Sequence, residues 1–272
     1  MRVLLLLISC SWLLAESALS QENTPARVKP DGGMDKDGVY VIVKPERKVA
    51  ETDRIYEGMT PVKYEPPADR WALLPKTKKK LDQGGQLTIV MLGDSIVNDT
   101  SRSNWSFHLQ SLYPKLTITK YTSVRGSTGC AWFQEDDRLN RYVLDFKPDL
   151  VMIGGISQGT DVAPIREVIH KIRKACGADI LLMTGPFGTL DPTDDKTWKK
   201  TLSPAPDDYR SKLAKLARDE KVELVDVQRE WGEYIRATGR PVADFKRDNI
   251  HANEKGEQII GRILVRYFAP KK

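Results

Sequence analysis

The sequence predicts an α/β fold of three layers, in which a parallel sheet lies between helices on both faces. Two observations lead to this prediction. Short apolar segments such as 87–92 and 150–153 have the length and unbroken hydrophobicity of strands that are buried on both faces. They alternate along the chain with longer amphipathic segments such as 164–175, and this alternation is typical of βαβ units, which form parallel sheets.

The strands are identified by composition and by alternation. Residues 39–43 are a run of β-branched and aromatic side chains, and residues 116–121 alternate between apolar and polar. The segments 87–92, 150–153 and 180–183 are short apolar runs. Strands are predicted at 39–43, 87–92, 116–121, 150–153, 180–183 and 222–227.

The helices are identified by helical periodicity and by the residues that start or stop them. Gly84 and Gly85 end the first helix, Pro148 follows the third, and Pro164 lies in the first turn of the fourth. Helices are predicted at 71–81, 104–112, 139–146, 164–175, 208–218 and 254–267.

Residues 1–20 have the features of a secretory signal. Arg2 supplies the positive charge, residues 3–14 are almost wholly apolar, and small residues at 18–20 form a cleavage site. We therefore expect the mature protein to be secreted or periplasmic. The sequence before Cys10 resembles a lipobox, but apolar residues continue past this cysteine, which argues against a lipid anchor there.

The remaining chain divides by composition. Residues 21–68 hold many proline, glycine and charged residues and few large apolar ones, so we interpret them as an N-terminal arm or small appendage. Residues 69–272 are predicted to form the main domain. Hydrophobic residues at 40% and charged residues at 29% are values of a globular chain. No apolar run after the signal approaches the ~18 residues that span a bilayer, so no integral membrane segment is expected.

Charge and cysteine content exclude further classes of protein. The net charge of +6 is mild, the four lysines within 76–80 are interpreted as a solvated helix face, and no nucleic-acid module accompanies them. No nucleic-acid partner is therefore expected. Cys130 and Cys176 could form a disulfide in an exported protein, but two small buried side chains are the favoured interpretation.

Residues with catalytic chemistry follow the predicted strands. Ser95 comes directly after strand 87–92, the segment 154–158 follows strand 150–153, and Asp248 precedes His251 in a polar loop before the last helix. In parallel sheets, sites form at the carboxyl ends of strands. The other two histidines, His108 and His170, lie inside predicted helices and are interpreted as structural. A serine, a histidine base and an orienting acid indicate an activated nucleophile.

The order and placement of these motifs resemble the SGNH (GDSL-type) hydrolase family over residues 87–270. The segment 87–97 looks like the family's nucleophile block, and Asp248 to His251 looks like its acid–base block. The resemblance implies a flavodoxin-like SGNH hydrolase fold with Ser95 as nucleophile, His251 as general base and Asp248 as the acid that orients it. No metal or cofactor is implied.

The sequence of the oxyanion hole that the resemblance implies departs in part from the family's usual pattern. The backbone N–H of Ser95 contributes, and the segment 125–129 resembles the block that supplies a glycine N–H, best matched by Gly129, with Gly126 as the alternative. The family's third block is typically Gly-x-Asn-Asp, whereas this chain has Ser157 and Gln158 at its last two positions. Either side chain could donate to an oxyanion, and Ser157 is favoured because it occupies the Asn position. The alternative interpretation of this difference from the family is that the catalytic activity is weak or lost.

The predicted function is that of a secreted serine esterase, a carboxylic ester hydrolase that removes acyl groups, with acetyl favoured, from a carbohydrate or other small ester. The expected partner is a small-molecule or polysaccharide ester. The alternatives are a carbohydrate-binding or scaffold protein with little catalysis, an O-acyltransferase and a lipid esterase. Aromatic residues that could stack on sugar rings are Trp105, Trp132, Phe133, Trp198 and Trp231, some of which are expected in the core.

Overall fold

The computed structural model describes residues 33–271. The predicted signal segment 1–20, with Cys10, and the first part of the N-terminal arm lie outside the described residues. Across the part that is described, none of the helices combines the length and the apolar character that crossing a bilayer requires.

One six-stranded sheet organises the described residues. Its strands are β1 (Val39–Ile42), β2 (Gly85–Gly93), β3 (Leu116–Arg125), β4 (Leu150–Ile153), β5 (Asp179–Met183) and β6 (Glu223–Val225). Their spatial order is β1-β3-β2-β4-β5-β6. Strands β2 to β6 are parallel, and β1 pairs antiparallel with β3 at the edge. The five parallel strands have the 2-1-3-4-5 order of flavodoxin-like sheets. The predicted α/β class is confirmed, with an antiparallel edge strand added by the N-terminal segment.

Helices cover both faces of this sheet. They are α1 (Val49–Glu57), α2 (Pro75–Gln83), α3 (Ser95–Arg102), α4 (Trp105–Ser111), α5 (Cys130–Phe133), α6 (Asp136–Tyr142), α7 (Ala163–Ala175), α8 (Asp195–Leu202), α9 (Tyr209–Glu220), α10 (Val227–Thr238) and α11 (Glu254–Phe268). Short 3₁₀ turns occupy Leu144–Phe146 and Val242–Phe245.

The three layers follow from the alternation of side chains along β2. Leu87, Ile89 and Met91 belong to one apolar cluster, and Val90 and Leu92 belong to another. The first cluster contains buried residues of α2, α4, α10 and α11, and the second contains buried residues of α5, α6, α7 and α9. The central strand is therefore buried on both faces, as its unbroken apolar sequence predicts.

Several boundaries differ from those predicted. The helix predicted at 71–81 begins at Pro75, because Trp71 has a left-handed backbone with φ 72°. The strand predicted at 222–227 ends at Val225, because Asp226 caps α10 by accepting a hydrogen bond from the N–H of Arg229. The helix predicted at 139–146 ends at Tyr142 and continues only as a 3₁₀ turn. Helices α1, α3, α5, α8 and α10 were not predicted.

The described part of the N-terminal segment joins the main body at two places. Strand β1 pairs with the end of β3, which extends beyond the predicted 116–121 to Arg125 because β1 and β2 bond to it on its two sides. Helix α1 contacts α11. Just before α1, the Nε of Arg47 donates to Glu257, a buried carboxylate in the first turn of α11, at 3.1 Å.

Candidate active site

Ser95 lies at the carboxyl end of the central strand. Strand β2 ends at Gly93, and Ser95 is the first residue of α3. In the sheet, the next strand along the chain, β3, lies on one side of β2, and the following strand, β4, lies on the other. The strand order therefore reverses at β2, and such a topological switch point is where these folds bind ligands. The side chain of Asp94 caps α3 by accepting a hydrogen bond from the N–H of Ile96 at 2.9 Å. The Ser95 side chain is thereby presented at this edge of the sheet.

The buried carboxylate of Asp94 also joins the nucleophile turn to the loop that follows β4. Its Oδ2 accepts hydrogen bonds from the N–H groups of Ile156 at 2.7 Å and Ser157 at 2.6 Å. Gly155 has φ +98°, and a Cβ at this position would lie 2.6 Å from Asp94 Oδ1. Asp94 lies within the segment 87–97 that resembles the nucleophile block, and no local sequence pattern predicts this bridging role.

Asp248 and His251 lie on the loop between the second 3₁₀ turn and α11. His251 Nδ1 is 2.8 Å from Asp248 Oδ2, while Asp248 Oδ1 accepts from the N–H groups of Ile250 at 2.8 Å and His251 at 2.7 Å. The backbone N–H groups of His251 and Ile250, together with the nearby imidazole, hold the pKa of the Asp248 carboxyl well below its usual range. The carboxylate is therefore ionised beside the ring.

The fold brings this loop to Ser95. Ser95 Oγ lies 2.8 Å from His251 Nε2, so Ser95, His251 and Asp248 form one continuous hydrogen-bonded chain. Because the ionised carboxylate can only accept, Nδ1 carries the proton and Nε2 faces the serine hydroxyl with its lone pair. This arrangement can move a proton from the hydroxyl to the ring while the acid stabilises the resulting charge.

The other two histidines make different contacts. His108 is buried between α1 and α11, within 3.5 Å of Asp53 and Arg262, and burial lowers its pKa. His170 pairs with Glu220 at 2.8 Å on the surface. Neither approaches the Ser95–His251–Asp248 chain in the hydrogen bonds of the described residues.

Three of the predicted oxyanion residues, Gly129, Ser157 and Gln158, lie side by side, but the side chains of Ser157 and Gln158 differ in their hydrogen bonds. Gly129 immediately precedes α5, and a Cβ there would lie 2.5 Å from the Ser157 carbonyl oxygen and 2.6 Å from Gln158 Oε1. The Gln158 amide is buried: its Nε2 donates to the Gly154 carbonyl at 2.8 Å, and its Oε1 accepts from the Cys130 N–H at 2.8 Å. Ser157 is half-buried, and its hydroxyl forms no hydrogen bond with any described residue.

A cleft of about 390 Å³ borders the acid–base loop. Its walls come from the loop after β5, the second 3₁₀ turn and the loop that carries Asp248; they comprise Thr189, Leu190, Asp191, Val242, Ala243, Lys246, Arg247, Asp248 and Asn249. A second cleft of about 280 Å³ lies beside α8, α9 and β6 and includes none of Ser95, Asp248 and His251. Of the three candidate catalytic residues, Asp248 lines the first cleft.

The aromatic residues proposed for sugar stacking are mostly unavailable. Trp105, Phe133 and Trp231 are fully buried in the core. Trp132 lies under the guanidinium groups of Arg125 and Arg138, and Trp198 lies under that of Arg236. Three of the five rings are therefore unavailable to a sugar, and the other two, which are half-buried, each have at least one guanidinium group over the ring.

The two cysteines form no disulfide with each other. Cys130 and Cys176 are both free thiols, and burial raises the pKa of the Cys130 thiol to about 12. Within residues 33–271, no group of three or more His, Cys, Asp or Glu side chains is arranged to hold a metal ion.

Comparison with solved structures agrees with the observed fold. A GDSL-like lipase from Parabacteroides merdae superposes with a TM-score of 0.54 at 15% identity, covering 67% of this chain and 95% of its own. An acetylxylan esterase from Geobacillus stearothermophilus, crystallised as a catalytic mutant, gives 0.54 at 17% identity, with coverages of 68% and 95%. A two-domain esterase active on acetylated mannans gives 0.57 at 16% identity, covering 73% of this chain and 53% of its own.

Sequence comparison assigns the family. No curated protein matches the sequence. The sequence model of the GDSL-like lipase/acylhydrolase family matches residues 91–259, which include the nucleophile turn, the loop after β4 and the acid–base loop. Since this match spans more than half of the chain, the protein belongs to the GDSL-like lipase/acylhydrolase family and is a carboxylic ester hydrolase.

Proposed function

We propose that this protein is an exported serine esterase that removes acyl groups, acetyl above all, from a carbohydrate. The observation that carries the proposal is the unbroken chain Ser95 Oγ, His251 Nε2, His251 Nδ1 and Asp248 Oδ2, in which both contacts measure 2.8 Å. A serine hydroxyl is a weak nucleophile at neutral pH and requires such a base. Export is proposed from the signal-like segment 1–20.

The proposed reaction has two halves. Ser95 Oγ attacks the acyl carbon while His251 Nε2 takes the hydroxyl proton, and Asp248 stabilises the imidazolium that forms. The bond to the sugar oxygen then breaks, and His251 returns the proton to that oxygen. A water molecule, deprotonated by the same imidazole, attacks the acyl-enzyme, which releases the carboxylic acid and restores Ser95.

The oxyanion is proposed to be held by the backbone N–H groups of Ser95 and Gly129 and by the Ser157 hydroxyl. Ser95 is the first residue of α3, and Gly129 is the N-cap of α5. At both positions the backbone N–H has no partner within its own helix. Ser157 is preferred to Gln158 because the Gln158 amide already binds Gly154 and Cys130. Gln158 is therefore proposed to anchor the loop.

The proposed carbohydrate substrate rests on the cleft and on the nature of the structural neighbours. The cleft beside Asp248 offers hydrogen-bonding side chains from Thr189, Asp191, Lys246 and Asn249, which suit a hydroxyl-rich ligand. Two of the neighbours are an acetylxylan esterase and an esterase active on acetylated mannans. Transfer of the acyl group to another sugar would use the same residues and would be distinguished by its product.

The proposal is tested with a fluorophosphonate probe, p-nitrophenyl acetate and a panel of acetylated oligosaccharides. Wild-type protein should be labelled at Ser95 and should release acetate, whereas Ser95→Ala should be unlabelled and lose about 10⁶ in turnover. Ser111→Ala, on the exposed end of α4, is the matched control and should behave as wild type. An unlabelled wild-type protein would instead indicate a binding or scaffold role, and full activity in Ser95→Ala would refute the mechanism.

A further inference from the structure

A second carboxylate, that of Asp99, lies on the same helix as the candidate nucleophile. Asp99 follows Ser95 by four residues on α3, so the two side chains lie on the same side of the helix one turn apart. The Asp99 side chain is 0% exposed. Its Oδ1 accepts from Arg247 Nη1 at 2.8 Å, and its Oδ2 accepts from the N–H of Ala252 at 3.1 Å.

The two partners of Asp99 flank the acid–base loop. Arg247 immediately precedes Asp248, and Ala252 immediately follows His251. The loop is closed on itself, because the Arg247 N–H donates to the His251 carbonyl at 3.1 Å and Lys246 forms an antiparallel bridge with Ala252. A single carboxylate on the nucleophile helix therefore holds both ends of the loop that carries the base.

This arrangement is costly for a purely structural role. Burial raises the pKa of Asp99, although Arg247 opposes the shift, and removing charged groups from water carries a desolvation penalty that the pair recovers only in part. Glu257, also buried, lies 3.7 Å from the same Arg247 nitrogen, Nη1. Two buried acids therefore share one guanidinium group at the start of the loop.

We propose that Asp99 is a positioning residue that sets the distance between the His251 imidazole and the Ser95 hydroxyl by clamping both ends of the acid–base loop to α3. The inference rests on the proposed function, since it assumes that Ser95 and His251 react together. His251 and Asp248 keep their mutual geometry within one short loop, so the contact that needs external support is the one to Ser95. Loss of about 1 Å of alignment costs roughly 10²-fold in rate.

The matched comparison uses two buried aspartates. Asp179, 6% exposed, accepts from the Thr77 N–H at 2.7 Å at the amino end of β5, the edge of the sheet opposite the site. Asp99→Asn should lower kcat on p-nitrophenyl acetate by about 10- to 100-fold with little change in KM, and should slow fluorophosphonate labelling of Ser95 by a similar factor. Asp179→Asn should lower the melting temperature but leave kcat and labelling at wild-type values.

Arg247→Gln provides a second variant, because the Arg247 side chain is 37% exposed and glutamine keeps an amide that can donate a hydrogen bond. It should also slow the labelling of Ser95, by at least several-fold. Wild-type labelling and kcat in either Asp99→Asn or Arg247→Gln would overturn the inference, as would equal losses of kcat in Asp99→Asn and Asp179→Asn. An unlabelled wild-type protein would refute the proposed function instead, so the two failures are distinguishable.

Discussion

At the scale of single residues, Asp248 determines which group controls activity as the pH changes. The N–H groups of His251 and Ile250 hold the pKa of its carboxyl well below the usual range. The acid therefore stays ionised from mildly acidic to neutral pH. The lowered pKa stabilises the folded state at pH values above the pKa of an unfolded aspartate. This stabilisation is lost as the pH falls towards the lowered pKa of Asp248.

We therefore expect Asp248 to add no ionisation of its own to the pH profile between mildly acidic and neutral pH. Log(kcat/KM) for p-nitrophenyl acetate should not fall as the pH rises over this range, and its slope against pH should not exceed one. Initial rates measured between mildly acidic and neutral pH check this expectation, with the melting temperature at each pH as a control for folding. A slope of two, or activity that falls over this range, would contradict it.

A second residue-scale prediction separates Ser157 from Gln158. Ser157→Ala should lower turnover by ~10²–10³ with little loss of stability, because it removes an oxyanion donor. Gln158→Ala should instead destabilise the protein by about 1–3 kcal/mol, because it leaves the buried N–H of Cys130 without a partner. Turnover and urea midpoints of the two variants are the measurements.

The complementary change at the same position is Ser157→Asn, which restores the residue usual in the family. It should keep or raise activity if the amide can reach the oxyanion. The reverse pattern, with turnover lost in Gln158→Ala and unchanged in Ser157→Ala, would assign the donor to Gln158. Unchanged turnover in both alanine variants would leave the backbone N–H groups of Ser95 and Gly129 as the sole donors.

At the scale of elements, the strands were predicted better than the helices. The strand predicted at 150–153 has those bounds in the structure, because a run of apolar residues between polar ones is a local signal. Helix α3 lacks such a signal. Its sequence, from Ser95 to Arg102, is rich in β-branched and short polar residues, which are poor helix formers, so it depends on its Asp94 cap and on buried Ile96 and Val97.

Helix α10 shows the opposite case, a signal that was present but not used. Val227, Trp231, Tyr234 and Ile235 are spaced as on one helical face and all are buried. The prediction assigns the whole of 222–227 to a strand and so misses that Asp226 caps this helix. Periodicity beyond the strand would have identified it.

Local sequence motifs were enough to predict the three candidate catalytic residues but not the contacts that hold them in place. Ser95, Asp248 and His251 were singled out from local motifs and from the small number of histidines, and the structure brings them within hydrogen-bonding distance. The bridges made by Asp94 and Asp99 could not be predicted in this way. Their partners, such as Ile156 and Arg247, are far along the chain, and no local pattern specifies such contacts.

At the scale of the whole molecule, the candidate catalytic groups come from two distant parts of the chain. The nucleophile lies at the end of the first parallel strand, while the acid and base lie just before the last helix. Helix α11, whose buried face contributes to the first apolar cluster, fixes the second group relative to the sheet. The N-terminal segment adds to this support through Arg47, which pairs with Glu257 at the start of α11.

The closed loop that carries both Asp248 and His251 has a consequence for unfolding in denaturant: activity and helical structure should be lost at different concentrations. Because its own backbone hydrogen bonds close the loop, we expect it to detach from α3 as one body while the sheet stays folded. Segments held by few contacts open at lower free energy than the core. Esterase activity in urea should therefore disappear at a lower concentration than the helical circular dichroism signal, and it should return at once on dilution. Coincident midpoints would mean that the loop and the sheet unfold as a single cooperative unit.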